Sequence, residues 1–580
     1  MIRFKILLVL FFSFAFVLIS RLFFWQVFSH EKFQIEAKKE HFYAYDVKPL
    51  RGKIISSDGI EIASNQLTYT IYATYPQIKD KESLVRSLSP LFLKVDLEEE
   101  LDQNLISDEE KKDRLKKIEG ELEEKLSLKD LVWVPLRKKV SSSISEEIKN
   151  LNLEGVGLEK DYKRFYPESS SSAQLLGFVG SDERGKDKGY FGLEGFYDGL
   201  LKGREGRLKV EVDIKGNPIL VGERIEISEV DGQDLLTNID STAQYIVEKY
   251  LKEGVKRYGA KGGSVIILDP KTGAVLANAN IPSYDGAKWS KFPKEVYKNP
   301  VVADVYEPGS TFKLITFAAA LNENVIKPDT RCPCEGPKEV GGFEIKTWNN
   351  KYNPNSTAVE VLQHSDNVGA AYFAEKLGLD KFLKYIKNFG FGTLTGVDLE
   401  EEATGIIKPK KEWKDIDLNT AAFGQGLSVT PLQMVRAVGA IANGGKLMQP
   451  YVVKKIIGDK KTVEIKPKLI KQILKEDIAQ LLSEMMVQAV EGGEAKKLVP
   501  KGYRIAGKTG TAQIPIEGHY DPNKTVASFV GFGPVEDPKF VMLVKFDQPS
   551  TSPYGSETAA PLFFEITTEL FSYWGIAPSK

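Results

Sequence analysis

The 580-residue sequence predicts an α+β multidomain protein in three parts: an N-terminal membrane-crossing helix (residues 1–29), a mixed α/β domain (30–235), and a C-terminal domain (236–580) with an antiparallel sheet flanked by helices. Three observations predict it. Near its start the chain carries fourteen uncharged, mostly apolar residues in a row, Ile6–Ile19. Strands, turns and charged helices then alternate over the next two hundred residues. Near the end, Tyr503–Gly507, Thr525–Phe532 and Phe540–Phe546 read as neighbouring antiparallel strands, after several apolar helical runs. The 42% hydrophobic content is that of a globular protein, and the net charge of −1 carries no nucleic-acid signature.

At the N-terminus, Arg3 and Lys5 precede an uncharged, mostly apolar stretch from Ile6 to Ile19, and apolar character resumes after Arg21 through Phe28. A span needs about 20 residues, which Ile6–Phe28 supplies if Arg21 snorkels or faces a partner helix. No small-x-small cleavage site follows, so the segment reads as an uncleaved anchor in membrane lipid. Arg3 and Lys5 put the N-terminus in the cytoplasm by the positive-inside rule, which leaves the bulk of the chain extracytoplasmic.

Between residues 30 and 235, Leu97–Leu128 is rich in Glu and Lys with weak apolar spacing, and reads as solvated, projecting helices; a partner-binding arm is the sharper alternative. Glu168–Ser172 and Gly180–Gly189 read as loops. Thr237-Asn-Ile-Asp240 opens a long helix and sets the domain boundary.

The C-terminal domain carries three short motifs in order: Ser310-Thr-Phe-Lys313, Ser365-Asp-Asn367 and Lys508-Thr-Gly510, roughly 50 and 140 residues apart. Singly, each is bland: a surface helix turn, an N-cap, a strand end. In order they describe acyl transfer whose proton chemistry is done by lysine. Pro308-Gly309 break the chain, Ser310 opens a helix, and Lys313 shares its face one turn on. A hydroxyl attacks only once a base takes its proton. Lys313 is a base only if burial beside a second cation, Lys508, lowers its pKa. Ser365 and Asn367, on a helix–helix connection, complete the proton network. Thr509, Gly510 and Thr511 on a strand edge bind substrate by β-augmentation, with Gly507 and Gly510 leaving room for its backbone. The backbone N–H groups of Ser310 and Thr511 form the oxyanion pair.

These residues, with Lys261–Ala277, Phe423–Gln433, Arg51-Gly52, Asp58-Gly59, Arg164-Phe-Tyr-Pro167, Gly192-Leu-Glu-Gly195 and Leu236–Asp240, resemble a class B penicillin-binding protein over nearly the whole chain. The resemblance implies a non-catalytic pedestal (dimerisation-like) domain followed by a serine penicillin-binding/β-lactamase-like transpeptidase domain. It implies a Ser310 acyl-enzyme formed from peptidoglycan stem peptides ending in D-Ala-D-Ala, inhibition by β-lactams, and no cofactor. It also implies a SEDS-type glycan polymerase and other division proteins as partners. Glu307 and Phe423–Ser428 resemble the septal type more than the elongation type.

Several rival readings stay open. A class A β-lactamase shares the motifs, but the Asp415–Asn419 stretch has Asp where that family has Glu and lies too far from Ser365. A β-lactam sensor, a division scaffold and a D,D-carboxypeptidase are others. The two cysteines, Cys332 and Cys334, read as free thiols, because a disulfide ring spanning one residue is strained. The four histidines, His30, His41, His364 and His519, show no metal spacing.

Overall fold

The computed structural model of the chain describes residues 2–33, 42–102, 105–127, 133–168, 171–211, 219, 224–516 and 519–578. His41, Gln103, Asn104, Leu128, Ser169 and Ser170, which fall in the segments read above, lie outside them. The chain forms two compact units. One comprises Met1–Leu50, Gln66–Lys163 and Gly203–Gly232; the other comprises Arg51–Asn65, Arg164–Lys202 and Gln233–Lys580.

The first unit begins with the helix Ile2–Phe23, continued as a wider π-turn over Phe24–Phe28. Among the described residues this is the one helix long and apolar enough to cross a membrane. Arg21 lies 4.9 Å from the ring centre of Trp25, one turn on, so its charge has an aromatic face on its own helix. Further on, helices Lys81–Glu98, Asp108–Ser127 and Ser142–Asn150 pack on strand Trp133–Ser141. The charged helix Asp108–Ser127 does not project as solvated structure. Ile118, Leu122 and Leu126, spaced by four, are buried in this core. Three apolar residues on one helix face suffice to dock it, however charged the rest.

The second unit is built on a five-stranded antiparallel sheet. We label its strands β1 (Gly262–Leu268), β2 (Val275–Ile281), β3 (Ala506–Ile516), β4 (His519–Gly533) and β5 (Phe540–Asp547), in the spatial order β2-β1-β5-β4-β3. The helices that matter here are α1 (Ser241–Tyr258), α2 (Lys313–Asn322), α3 (Ala358–Gln363), α4 (Asn367–Leu377), α5 (Pro431–Ala442), α6 (Glu476–Gly492) and α7 (Ala559–Tyr573). Side chains alternate between the faces of each strand. Phe540, Met542, Val544 and Phe546 of β5 pack with α1 and α7, while Val541 and Leu543 point to the opposite face, toward α5. Residues 313–321 of α2 are all buried, as expected of a helix enclosed on every side. Asp240 caps α1, its side chain accepting from Ala243 N–H at 2.9 Å, which is the helix start expected from Thr237–Asp240.

The upstream motifs assemble within this same unit. Arg51 Nε and Arg164 Nε donate to the two oxygens of Glu194 at 2.7 and 2.6 Å, and Arg51 Nη1 donates to Asp198 at 2.8 Å. Burial alone would push the Glu194 carboxyl up, but the two guanidinium groups hold it below its ordinary range.

Two expectations are corrected. Gly180–Gly189 is not a loop: Phe178–Ser181 and Asp187–Tyr190 pair as a hairpin, and only the turn between them is loop. Cys332 and Cys334 are not free thiols but a disulfide, with Cα atoms 5.4 Å apart. Cys334 adopts a left-handed φ of 45°, which folds its side chain back across Pro333 toward Cys332 and allows the one-residue ring.

Candidate active site

Ser310 lies in a 3-10 turn, Gly309–Phe312, that leads directly into α2 at Lys313. The turn is clamped by backbone. Gly309 N–H donates to the Gly424 carbonyl at 3.0 Å, and a Cβ on Gly424, at φ +80°, would meet Gly309 O at 2.2 Å. The Phe423–Ser428 loop therefore supports the turn from behind, and Glu307 Oε1 secures it by accepting from Gly426 N–H at 3.0 Å.

The second motif follows from two helix ends. Helix α3 stops in a Schellman motif: Ser365 N–H donates to Leu362 O at 3.3 Å, and Asp366 N–H donates to Val361 O at 2.9 Å. Ser365 fills the left-handed position usually given to glycine, with φ 54°. Asp366 then caps α4, its Oδ1 accepting from Val368 and Gly369 N–H at 2.8 and 3.1 Å. The short connection turns Ser365 and Asn367 toward α2. Lys313 Nζ donates to the Ser365 carbonyl at 2.5 Å, to Ser365 Oγ at 3.2 Å and to Asn367 Oδ1 at 2.8 Å. Asn367 Nδ2 is held by Lys346 O at 2.9 Å. Lys313 and Ser310 make no hydrogen bond, because all three donors of the ammonium go to the second motif.

The third motif lies inside β3 rather than at a strand end. Among the described residues this strand is the outermost of the sheet and pairs only with β4, and its other edge faces the cleft. Lys508 Nζ donates to Thr509 Oγ1 at 3.1 Å and to Thr509 O at 3.3 Å. A Cβ at Gly510 would meet Ser528 Oγ at 2.4 Å, Thr311 Cγ2 at 2.9 Å and Pro308 O at 3.0 Å. A Cβ at Gly507 would meet the Phe529 ring at 2.5 Å. The two glycines thus make room for protein rather than for substrate, and Gly510 lets the Ser310 turn press against β3.

A cleft of about 1170 Å³ is lined by Ser310, Ser365, Asn367, Lys508, Thr509 and Thr511. Lys313, fully buried, and Gly510 lie behind its wall. Burial first, then the Lys508 charge, push the Lys313 ammonium well below the ordinary lysine range, while the Asp366 carboxylate opposes them. Burial brings Lys508 down to about 8, against the pull of the Glu494 carboxylate. The site therefore holds two amines in one low-dielectric wall, and their mutual repulsion favours one neutral and one charged. Asp366 was not among the residues expected to matter. Its position inside the second motif was the available signal, and its buried Oδ2, without a hydrogen-bond partner, leaves its charge free to act on Lys313.

Residues 263–568 match the family described as "Penicillin binding protein transpeptidase domain", and residues 46–237 match "Penicillin-binding Protein dimerisation domain". Stage V sporulation protein D of Bacillus subtilis (strain 168) is 34% identical over 588 residues, covering 100% of this chain and 87% of that protein. Peptidoglycan D,D-transpeptidase FtsI of Escherichia coli (strain K12) is 33% identical over 452 residues, covering 77% of this chain and 73% of its own. The solved structure of penicillin binding protein 2X from Streptococcus thermophilus superposes with a TM-score of 0.73 at 23% identity, covering 93% of this chain and 81% of that one, which shows a shared fold. The serine, the two lysines and the sheet edge thus sit in a chain that belongs to the penicillin-binding protein transpeptidase family.

Proposed function

We propose that this chain is a peptidoglycan D,D-transpeptidase that cross-links stem peptides through a Ser310 acyl-enzyme. The observation that carries the proposal is the buried Lys313 amine, bonded to Ser365 and Asn367, with Lys508 as the second cation. In its neutral form Lys313 releases one of its three hydrogen bonds and takes the Ser310 proton. Ser310 Oγ attacks the carbonyl of the penultimate D-Ala, with charge developing toward the N–H groups of Ser310 and Thr511. Ser365 passes the proton to the leaving D-Ala amine. An amine of a second stem peptide then attacks the ester, gives up its proton along the same path, and restores the Ser310 hydroxyl. The donor lies as an added strand on the free edge of β3, its carboxylate toward Lys508, Thr509 and Thr511.

The same reading takes residues 1–29 as a cytoplasmic stub and membrane anchor, 30–235 as the pedestal and 236–580 as the transpeptidase domain in an extracytoplasmic compartment. A SEDS-type polymerase is its membrane partner. The septal role is supported by Glu307 and the Phe423–Ser428 loop, which the Glu307–Gly426 hydrogen bond joins into one support for the nucleophile turn.

The test is the intact mass of residues 30–580 with benzylpenicillin, followed over hours. The expected result is a single adduct on Ser310 that persists for many minutes and is lost in Ser310→Ala. Rapid turnover of the drug would favour a hydrolase, and labelling that survives Ser310→Ala would overturn the assignment.

A further inference from the structure

Two aromatic side chains from segments far apart in sequence meet across the cleft. Trp348, from the connection that follows the hairpin strand Phe343–Ile345, stands edge-to-face on Tyr554, from the connection between β5 and α7, with ring centres 5.4 Å apart. Both line the cleft, and both keep more than a third of their surface exposed, 45% and 37%. They are therefore not core residues that happen to be near the site. They are rim residues whose contact closes the span between two walls.

Each partner is anchored to one of the chemical motifs. On one wall, Trp348 Nε1 donates to the carbonyl of His364, the residue before Ser365, at 3.4 Å, and Lys346 O, two residues ahead of Trp348, accepts from Asn367 Nδ2 at 2.9 Å. On the other wall, Gly555 N–H donates to Thr511 Oγ1 at 3.0 Å. A Cβ on Gly555 would meet Gly510 O at 2.3 Å and Ser528 O at 2.5 Å. The Tyr554 backbone is thus pressed against β3 and β4 with no space to retreat. The positions of both rings are set by the residues that hold the nucleophile's base and the substrate edge.

We propose that Trp348 and Tyr554 form an aromatic bridge that determines donor specificity, admitting along β3 only a slim, unbranched chain ahead of the reacting amide. This rests on the acyl-transfer reading of the site and adds residues to it. An extended donor on the free edge of β3 runs between the two walls. A bulky or branched group on it meets the bridge and has to part it. The backbones on both sides are tethered to motif residues, so parting costs the aromatic contact and is not relieved by moving a wall. A slim chain passes with the bridge closed.

The test compares acylation rate constants of benzylpenicillin, with its slim side chain, and piperacillin, with its branched one, by intact mass on the wild type, Trp348→Ala, Tyr554→Ala and Trp348→Phe. Either alanine variant is expected to raise the piperacillin-to-benzylpenicillin ratio about tenfold, the scale of one steric contact in a binding site. Trp348→Phe keeps a ring at the bridge but loses the His364 hydrogen bond, and is expected to keep the wild-type ratio. A ratio is insensitive to how much of a variant folds. An unchanged ratio in both alanine variants overturns the bridge. A lower ratio makes the rings a binding platform and also overturns it. A ratio that moves in Trp348→Phe as far as in Trp348→Ala traces the effect to the His364 tether and overturns the bridge. A wild type that forms no Ser310 adduct overturns the acyl-transfer reading itself, and the bridge with it.

Discussion

Ser365 holds Lys313 with two atoms at once, its carbonyl oxygen at 2.5 Å and its hydroxyl at 3.2 Å from Nζ. The left-handed backbone at Ser365, with φ 54°, presents both to the same point. The carbonyl fixes the amine, and the hydroxyl is left as the mobile partner for protons. Ser365→Ala keeps the first contact and removes the second. It should fold normally and lower the acylation rate about 10²-fold or more, the scale of one lost proton-transfer group. A rate within threefold of wild type, by intact-mass kinetics, would take the hydroxyl out of the proton path.

Lys508, brought to about 8 by burial, sets an alkaline limit. In the proposed mechanism the donor carboxylate binds its charged form, so acylation should fall as pH rises through about 8. Stability runs the other way. Between the folded value and the ordinary lysine value, the unfolded chain binds more protons than the folded one, so stability rises with pH across that window. Urea midpoints measured from pH 7 to 10 should climb, and Lys508→Met should flatten the climb. A midpoint that falls over this range contradicts the burial of the amine.

Asp366 opposes the burial that deprotonates Lys313. Asp366→Asn keeps an oxygen for the α4 cap and removes the charge. With its anion gone, Lys313 should lose its proton at lower pH, and the acid limb of the acylation profile should move down. An unmoved limb with an intact melting temperature would mean that the Asp366 charge is screened from Lys313.

Glu194→Gln leaves Arg51 and Arg164 without their shared carboxylate. Breaking a buried ion pair from one side costs about 3–5 kcal/mol, and urea unfolding should read a loss of that order. Loss below about 1 kcal/mol, the range of an exposed pair, would show that the arginines find other partners.

Most of the candidate site's geometry is legible in the sequence because it is local. Ser310 and Lys313 share one turn, the second motif is a helix junction, and Lys508-Thr-Gly510 sits in a strand whose alternation is plain. What was not legible depends on distant segments meeting. The Leu97–Leu128 region looked solvated because Ile118, Leu122 and Leu126 are few among many charges, and only the opposing helix shows that three are enough. Gly510 read as space for substrate because sequence gives no hint that Ser528 and Thr311 converge there. Cys332 and Cys334 read as thiols because the left-handed turn at Cys334 leaves no mark in composition.

Among the described residues, the strand that carries Lys508 ends its sheet with one side unpaired. Such an edge is a template for any extended chain, a second copy of this protein included, and proteins usually blunt it with charge, proline or a bulge. In the proposed mechanism the donor needs that edge open along Lys508–Thr511. This strand carries a bulge between Gln513 and Ile514 and a proline at Pro515, and its Lys508–Thr511 stretch is protected further by lying along a walled cleft. Cutting back the wall around Phe343–Trp348 would therefore trade an enzyme's openness to its substrate for a tendency to stack on itself.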